Sequence, residues 1–205
     1  MVGMVLNNLG LTATQQADYA SARSFLDQSL VKFREIGHRW GTALALLNLG
    51  NVARSQTDLA SAQAYYQESL ALYQELGDPV TASYAIFGLG DVAYLHGNYA
   101  SARSLFRESL SLRIHAGEKR PIPRNLEGIA QVDRVEGQAI RAARLFGAAE
   151  ALRQSLGEAL TQDNLPEYER EVSALRLALG DMAFEQAWAI GRTLTMEQAY
   201  ELALN

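Results

Sequence analysis

The chain has 205 residues, 48% of them apolar and 20% charged, enough to bury a sizeable core. It contains no cysteine, which excludes a disulfide framework, a thiolate metal site and a thiol nucleophile. Its apolar runs fall well short of the roughly 20 residues that span a bilayer, and no charged stretch with an apolar signal core opens it, so a cytoplasmic protein is expected.

Net charge is −5 and unevenly placed. Residues 1–102 carry five Lys/Arg against eight Asp/Glu, residues 103–153 ten against six, and residues 154–205 three against nine. Arginine outnumbers lysine sixteen to two, and its planar fork suits carboxylate or phosphate. The acidic total and the acidic tail argue against direct nucleic-acid contact.

A self-similarity of 40 residues organises the chain, with Gly10, Gly50 and Gly90 at the same place in successive copies. Four copies are expected, over residues 1–37, 38–77, 78–117 and 118–157. In the first, Leu6, Leu9 and Gly10 are followed by Ala22, Leu26, Ser29 and Leu30, and Gly37 closes it. The second repeats this with Leu46, Leu49, Gly50, Ala62, Tyr66, Ser69 and Leu70. Both halves of each copy have helical spacing, so each copy reads as a helical hairpin. Thr57 and Asp58 interrupt the second copy, and Asn98 the third, where Asp or Asn can cap the following helix.

Between copies, Gly77-Asp78-Pro79 reads as a helix stop followed by a start. The third copy keeps Ile86, Leu89, Gly90, Ala102 and Phe106. The fourth keeps Leu126, Ala142 and Phe146 but has Ile129-Ala130 and a polar Asp133, and is the least regular. Residues 158–205 lack the period. There Asn164 and Pro166 open a helix running to Leu179, Gly180-Asp181 ends it and caps another through Ala189, and Thr195 with Gln198 forms a capping box for a last one. About eleven helices and no sheet are expected. A period of this kind marks a solenoid, whose units bury their apolar faces by stacking.

The pattern Leu46, Leu49-Gly50, Ala62, Tyr66, repeated as Ile86, Leu89-Gly90, Ala102, Phe106, resembles the tetratricopeptide repeat. The resemblance implies an all-α, right-handed superhelical solenoid of hairpins, capped by the C-terminal helices. The runs Ala142–Glu150, Leu179–Phe184, Ala187–Arg192 and Met196–Ala199 resemble the repeat region of bacterial LuxR-type or nucleotide-switch regulators. That likeness implies a non-enzymatic sensor or scaffold segment of a signalling or transcriptional regulator that binds a protein or peptide.

No phosphate-binding loop occurs, and His38, His96 and His115 sit at turns without ligand spacing. Glu167, Glu169 and Glu171 suit the positive end of a helix rather than a metal. No catalytic role, metal or cofactor is expected. In tetratricopeptide stacks the first helix of each hairpin lines the concave face. There Asn8, Asn48 and Asn51 match a peptide-holding ladder of amides, Asp91 and Gln131 continue one column of it, and Tyr84, Phe87 and Tyr94 offer an apolar floor beside Arg124 and Arg134. The rival readings are a structural self-association module without a groove ligand, and a small-metabolite sensor. The apolar Met1, Val2, Met4 and Val5 make the N-terminal edge a candidate for pairing between copies.

Overall fold

The computed structural model describes residues 1–160 and 164–205. Among these the chain forms eleven α-helices and no strand, so the all-α expectation holds. It divides into two compact units, Met1–His96 and Gly97–Asn205.

The first unit contains α1 (Val2–Gln15), α2 (Tyr19–Glu35), α3 (Arg39–Ser55), α4 (Leu59–Glu75) and α5 (Pro79–Leu95), each packed on the next. Local chemistry fixes the joints. Asp18, Asp58 and Asp78 accept the backbone N–H of Ser21, Ser61 and Thr81, and His38 Nδ1 accepts that of Gly41. Each bond satisfies a donor that the start of a helix leaves open. A left-handed residue recurs every twenty positions: Ala17, Gly37, Thr57 and Gly77 here, and Gly97, Gly117, Gly137 and Gly157 in the second unit.

The core between α2 and α3 joins Leu26, Leu30 and Phe33 to Ala45, Leu46, Leu49 and Val52. Beyond it, Tyr66 on α4 packs with Leu47, Ala53, Ala85 and Val92. The repeated glycines make room for side chains of the second helix: a Cβ at Gly10 would lie 2.6 Å from Leu26 Cγ, and one at Gly50 2.6 Å from the Tyr66 ring. Buried serines have a defined task as well. Ser29 Oγ donates to the Gly3 carbonyl at 2.7 Å and Ser69 Oγ to the Ala43 carbonyl at 2.8 Å, tying each second helix to its first.

The second unit contains α6 (Tyr99–His115), α7 (Ile122–Val135), α8 (Ala139–Ser155), α9 (Leu165–Leu179), α10 (Asp181–Arg192) and α11 (Met196–Leu204). Here α7 starts late, after Pro121, and has 14 residues where α6 and α8 have 17. The guanidinium of buried Arg113 closes that joint by donating to the Pro121 carbonyl and Asn125 Oδ1. Asp133, the polar residue of the irregular copy, is buried between Arg103 at 2.6 Å and Arg141 at 2.9 Å.

The tail departs from expectation in detail. Gly180, with φ of 74°, both ends α9 and caps α10, so Asp181 lies within the first turn, where it accepts from Arg176 at 3.0 Å. α10 runs on to Arg192 rather than stopping at Ala189. It crosses α8 with the backbones nearly touching, because a Cβ at Gly147 would strike the Trp188 carbonyl and one at Gly191 the Arg144 carbonyl. Phe146 and Trp188 stack beside that crossing with planes 8° apart. Thr195 and Gln198 form the expected capping box.

Candidate functional site

In the first unit the first helices of the hairpins, α1, α3 and α5, are neighbours. Asn48 Nδ2 donates to Asn7 Oδ1 at 2.9 Å, and both amides are buried. Asn8, the residue at the equivalent register, is exposed instead, and its backbone carbonyl accepts the Thr12 hydroxyl. Asn51 Oδ1 accepts the Tyr66 hydroxyl at 2.9 Å. Arg54 on α3 reaches Asp91 on α5 at 3.5 Å. Asn48, Asn51 and Asp91 thus have partners within the fold, which hold them in fixed orientations.

The aromatic residues of α5 differ in exposure. Phe87 is 8% exposed and belongs to the packing, whereas Tyr84 is 40% exposed. Tyr94, like Leu44 on α3, is half-buried, and Leu47 is buried. Tyr84, Phe87, Asp91 and Tyr94 fall at i, i+3, i+7 and i+10, which places them along one helical face.

In the second unit, Arg124, Glu127, Gln131 and Arg134 stand at the same four places on α7, forty residues later. That face carries α9. Arg124 and Gln131 both donate to Glu167, at 3.2 and 2.9 Å, and Arg134 Nε donates to Glu171 at 2.6 Å. The two glutamates therefore share a face and converge on α7, a role that the sequence alone did not reveal. The signal was present as the positive segment 103–153 followed by an acidic tail. Glu171 and Glu127 are almost fully buried. Burial pushes the Glu127 carboxyl above its usual range, against the pull of Arg153, which donates to it, and of Arg124. Tyr168 on α9 packs edge-on against Phe146 at 5.8 Å and lies under the Arg153 guanidinium, and burial lifts its hydroxyl to about 12.

A second cluster receives the end of α11. Arg141 donates to the Leu202 and Ala203 carbonyls and Arg107 to that of Ala203, placing cations at the negative end of the helix. Burial, and repulsion from Arg103 and Arg141, depress the Arg107 pKa. Among the described residues there is no group of three His, Cys, Asp or Glu side chains arranged to hold a metal ion, and no helix is long and apolar enough to cross a membrane. Two of the histidines serve the backbone: His38 caps α3, and His115 Nδ1 lies 2.7 Å from the Ser111 carbonyl.

No curated protein matches the chain. The family model of the tetratricopeptide repeat matches residues 2–75 and again residues 41–115, together more than half of the sequence. Those spans contain the Gly10, Gly50 and Gly90 copies and the capped hairpins of the first unit. Tetratricopeptide repeats are protein-interaction scaffolds, and this chain belongs to that family.

Proposed function

We propose that the chain is a non-enzymatic peptide- and protein-binding module, four repeats over residues 1–157 and capping helices over 158–205, acting as the sensor or scaffold segment of a bacterial signalling or transcriptional regulator in the cytoplasm. Its binding face in the first unit is the row on α3 and α5 that includes Asn48, Asn51, Tyr84, Phe87, Asp91 and Tyr94. One observation carries this reading: in the second unit the equivalent face of α7 already holds a helix, α9, through Arg124, Gln131 and Arg134. A face that seats one segment through side-chain polar groups has the chemistry to seat another.

Fixed side chains favour such binding, because little conformational freedom remains to be lost. Tyr84 supplies an exposed, rigid ring with a polar tip. Titration calorimetry against a peptide library provides the test. Tyr84→Ala should weaken a binder by about 1 kcal/mol or more, as removal of an aromatic anchor does. If no peptide binds the intact fold, or binders ignore Tyr84, Asn51 and Asp91, the face is structural.

A second reading, self-association through α1, also has its own observation. Val5 and Leu9 are 54% and 44% exposed, while their equivalents in α3, Ala45 and Leu49, are buried under α2. The α1 face thus has the spacing of a surface that a second helix normally covers, and a second copy of the chain would be its occupant. Light scattering at high concentration checks it: a mass equal to one chain, unchanged by Val5→Glu, removes this reading.

A further inference from the structure

We infer that the α7 row of Arg124, Gln131 and Arg134 is a binding site for an acidic partner helix with carboxylates four residues apart, and that α9 is its exchangeable resident. This rests on the reading that first-helix faces seat partner segments, and it supplies the partner's chemistry. Glu167 and Glu171 lie one turn apart on α9 and both point at α7. Arginine forks and a glutamine amide recognise carboxylate without demanding any other feature of the helix.

The resident is held by these polar contacts to α7, by Tyr168 against Phe146 of α8, and by Arg176 over the Phe184 ring of α10. Glu171 and Leu175 are the fully buried residues of α9, and Leu177 is 88% exposed. The next helix, α10, is fixed differently, by the crossing at Gly147 and Gly191, where its backbone meets that of α8. Gly180 joins the two helices in a left-handed conformation that places no side chain in the way. Release of α9 breaks its Tyr168 and Arg176 contacts but leaves the α8–α10 backbone crossing, so α10 can stay.

The resident also leaves a need unmet. Gln131 is 1% exposed, and while its Nε2 donates to Glu167 its Oε1 is buried with no hydrogen-bond partner. An unpaired buried acceptor is unfavourable. A partner helix that carries a donor beside its carboxylates would satisfy it and so displace α9.

The probe is a labelled synthetic peptide of residues 164–180, measured by fluorescence anisotropy against the full chain. The double variant Glu167→Gln, Glu171→Gln should capture it roughly tenfold more tightly than the wild type. Added salt should weaken that capture, Arg134→Ala in the same background should abolish it, and a peptide bearing both Gln substitutions should not bind. Equal binding by variant and wild type, with helical content unchanged, overturns the proposal. Hydrogen exchange on the wild-type chain gives a second readout that needs no variant. Excess peptide should strip protection from 165–179 and leave 181–192 protected, whereas unchanged protection or joint loss of both helices overturns it. Tyr84-dependent peptide binding is measured separately, so failure of α9 exchange leaves the first-unit reading standing, and the reverse.

Discussion

The phenol ring of Tyr66 occupies the space that a side chain at Gly88 would need: a Cβ there would lie 2.5 Å from Cζ. Gly50 presses on the same ring from α3, so one aromatic residue of α4 sits between glycines of the two flanking first helices. Gly88→Ala gains up to about 1 kcal/mol of helix propensity, but overpacking of a filled core costs about 1–3 kcal/mol. Urea denaturation should show a net loss of stability, partly restored by Tyr66→Leu in the same chain. A more stable single variant would show that the ring yields freely.

Ala17 and Thr57 hold φ of 58° and 62° at joints where other copies have glycine. The left-handed conformation costs an L-residue roughly 1–2 kcal/mol, and the entropy of glycine in the unfolded chain returns roughly 0.5–1 kcal/mol of that. Ala17→Gly and Thr57→Gly should each raise stability by up to about 1 kcal/mol. Thermal melts of both variants decide it, and a lowered midpoint in either contradicts the strain argument.

Asn7 and Asn48 satisfy each other in a buried setting. Asn48→Ala should cost about 1–3 kcal/mol, because Asn7 is left without its donor. The double variant Asn7→Leu, Asn48→Leu should lose less than the two single leucine changes added together. A double-mutant cycle measures that coupling, and additive losses would show that the amides act separately.

Hydrogen bonds from Ser21 and Ser61 hold the Asp18 and Asp58 carboxyls below the ordinary value of 3.8. For an acid whose folded pKa is depressed, the stability is fully present above the unfolded value and is lost as pH falls through the folded one. These caps therefore weaken as pH drops below 3.8. Asn98 makes the same bond to Ser101 without a titrating group. Asp18→Asn with Asp58→Asn should flatten the stability profile below that pH while helical content at neutral pH is kept. An acid limb as steep as that of the wild type would place its origin elsewhere.

The hairpins were legible because a 40-residue period announces which positions share a task. Caps at Asp18, Asp58, Asp78 and Asn98 and stops at Gly37, Gly77 and Gly117 follow from residue chemistry within a few positions. Side-chain pairing was harder to read. Equal register marks equal places on separate helices, whose axes lie about 8–10 Å apart, so touching residues come from their facing flanks. Asn48 consequently meets Asn7 rather than Asn8, and Arg54 meets Asp91. In the tail no period supplies a register. Glu167, Glu169 and Glu171 read only as acids at the positive end of a helix, yet Glu167 and Glu171 lie one turn apart and face α7 together.

The beat of left-handed residues at 17, 37, 57, 77 and onward governs how this chain can change length. Loss of one residue inside a helix turns everything beyond it by about 100°, which would swing Tyr66 out from between its glycines. Loss of twenty would keep the joints but exchange first helices for second ones, whose buried faces differ. Excision of forty residues, 38–77, would join Gly37 directly to Asp78 and rebuild a capped joint. Two contacts would then change: the Phe33 ring, which now lies on Gly41, would meet Thr81 at that register, and buried Asn7 would face Gly88 in place of Asn48. Shortened or lengthened versions of this chain should thus come in whole hairpins, and Thr81→Gly with Asn7→Leu should be the changes that let the 38–77 excision fold.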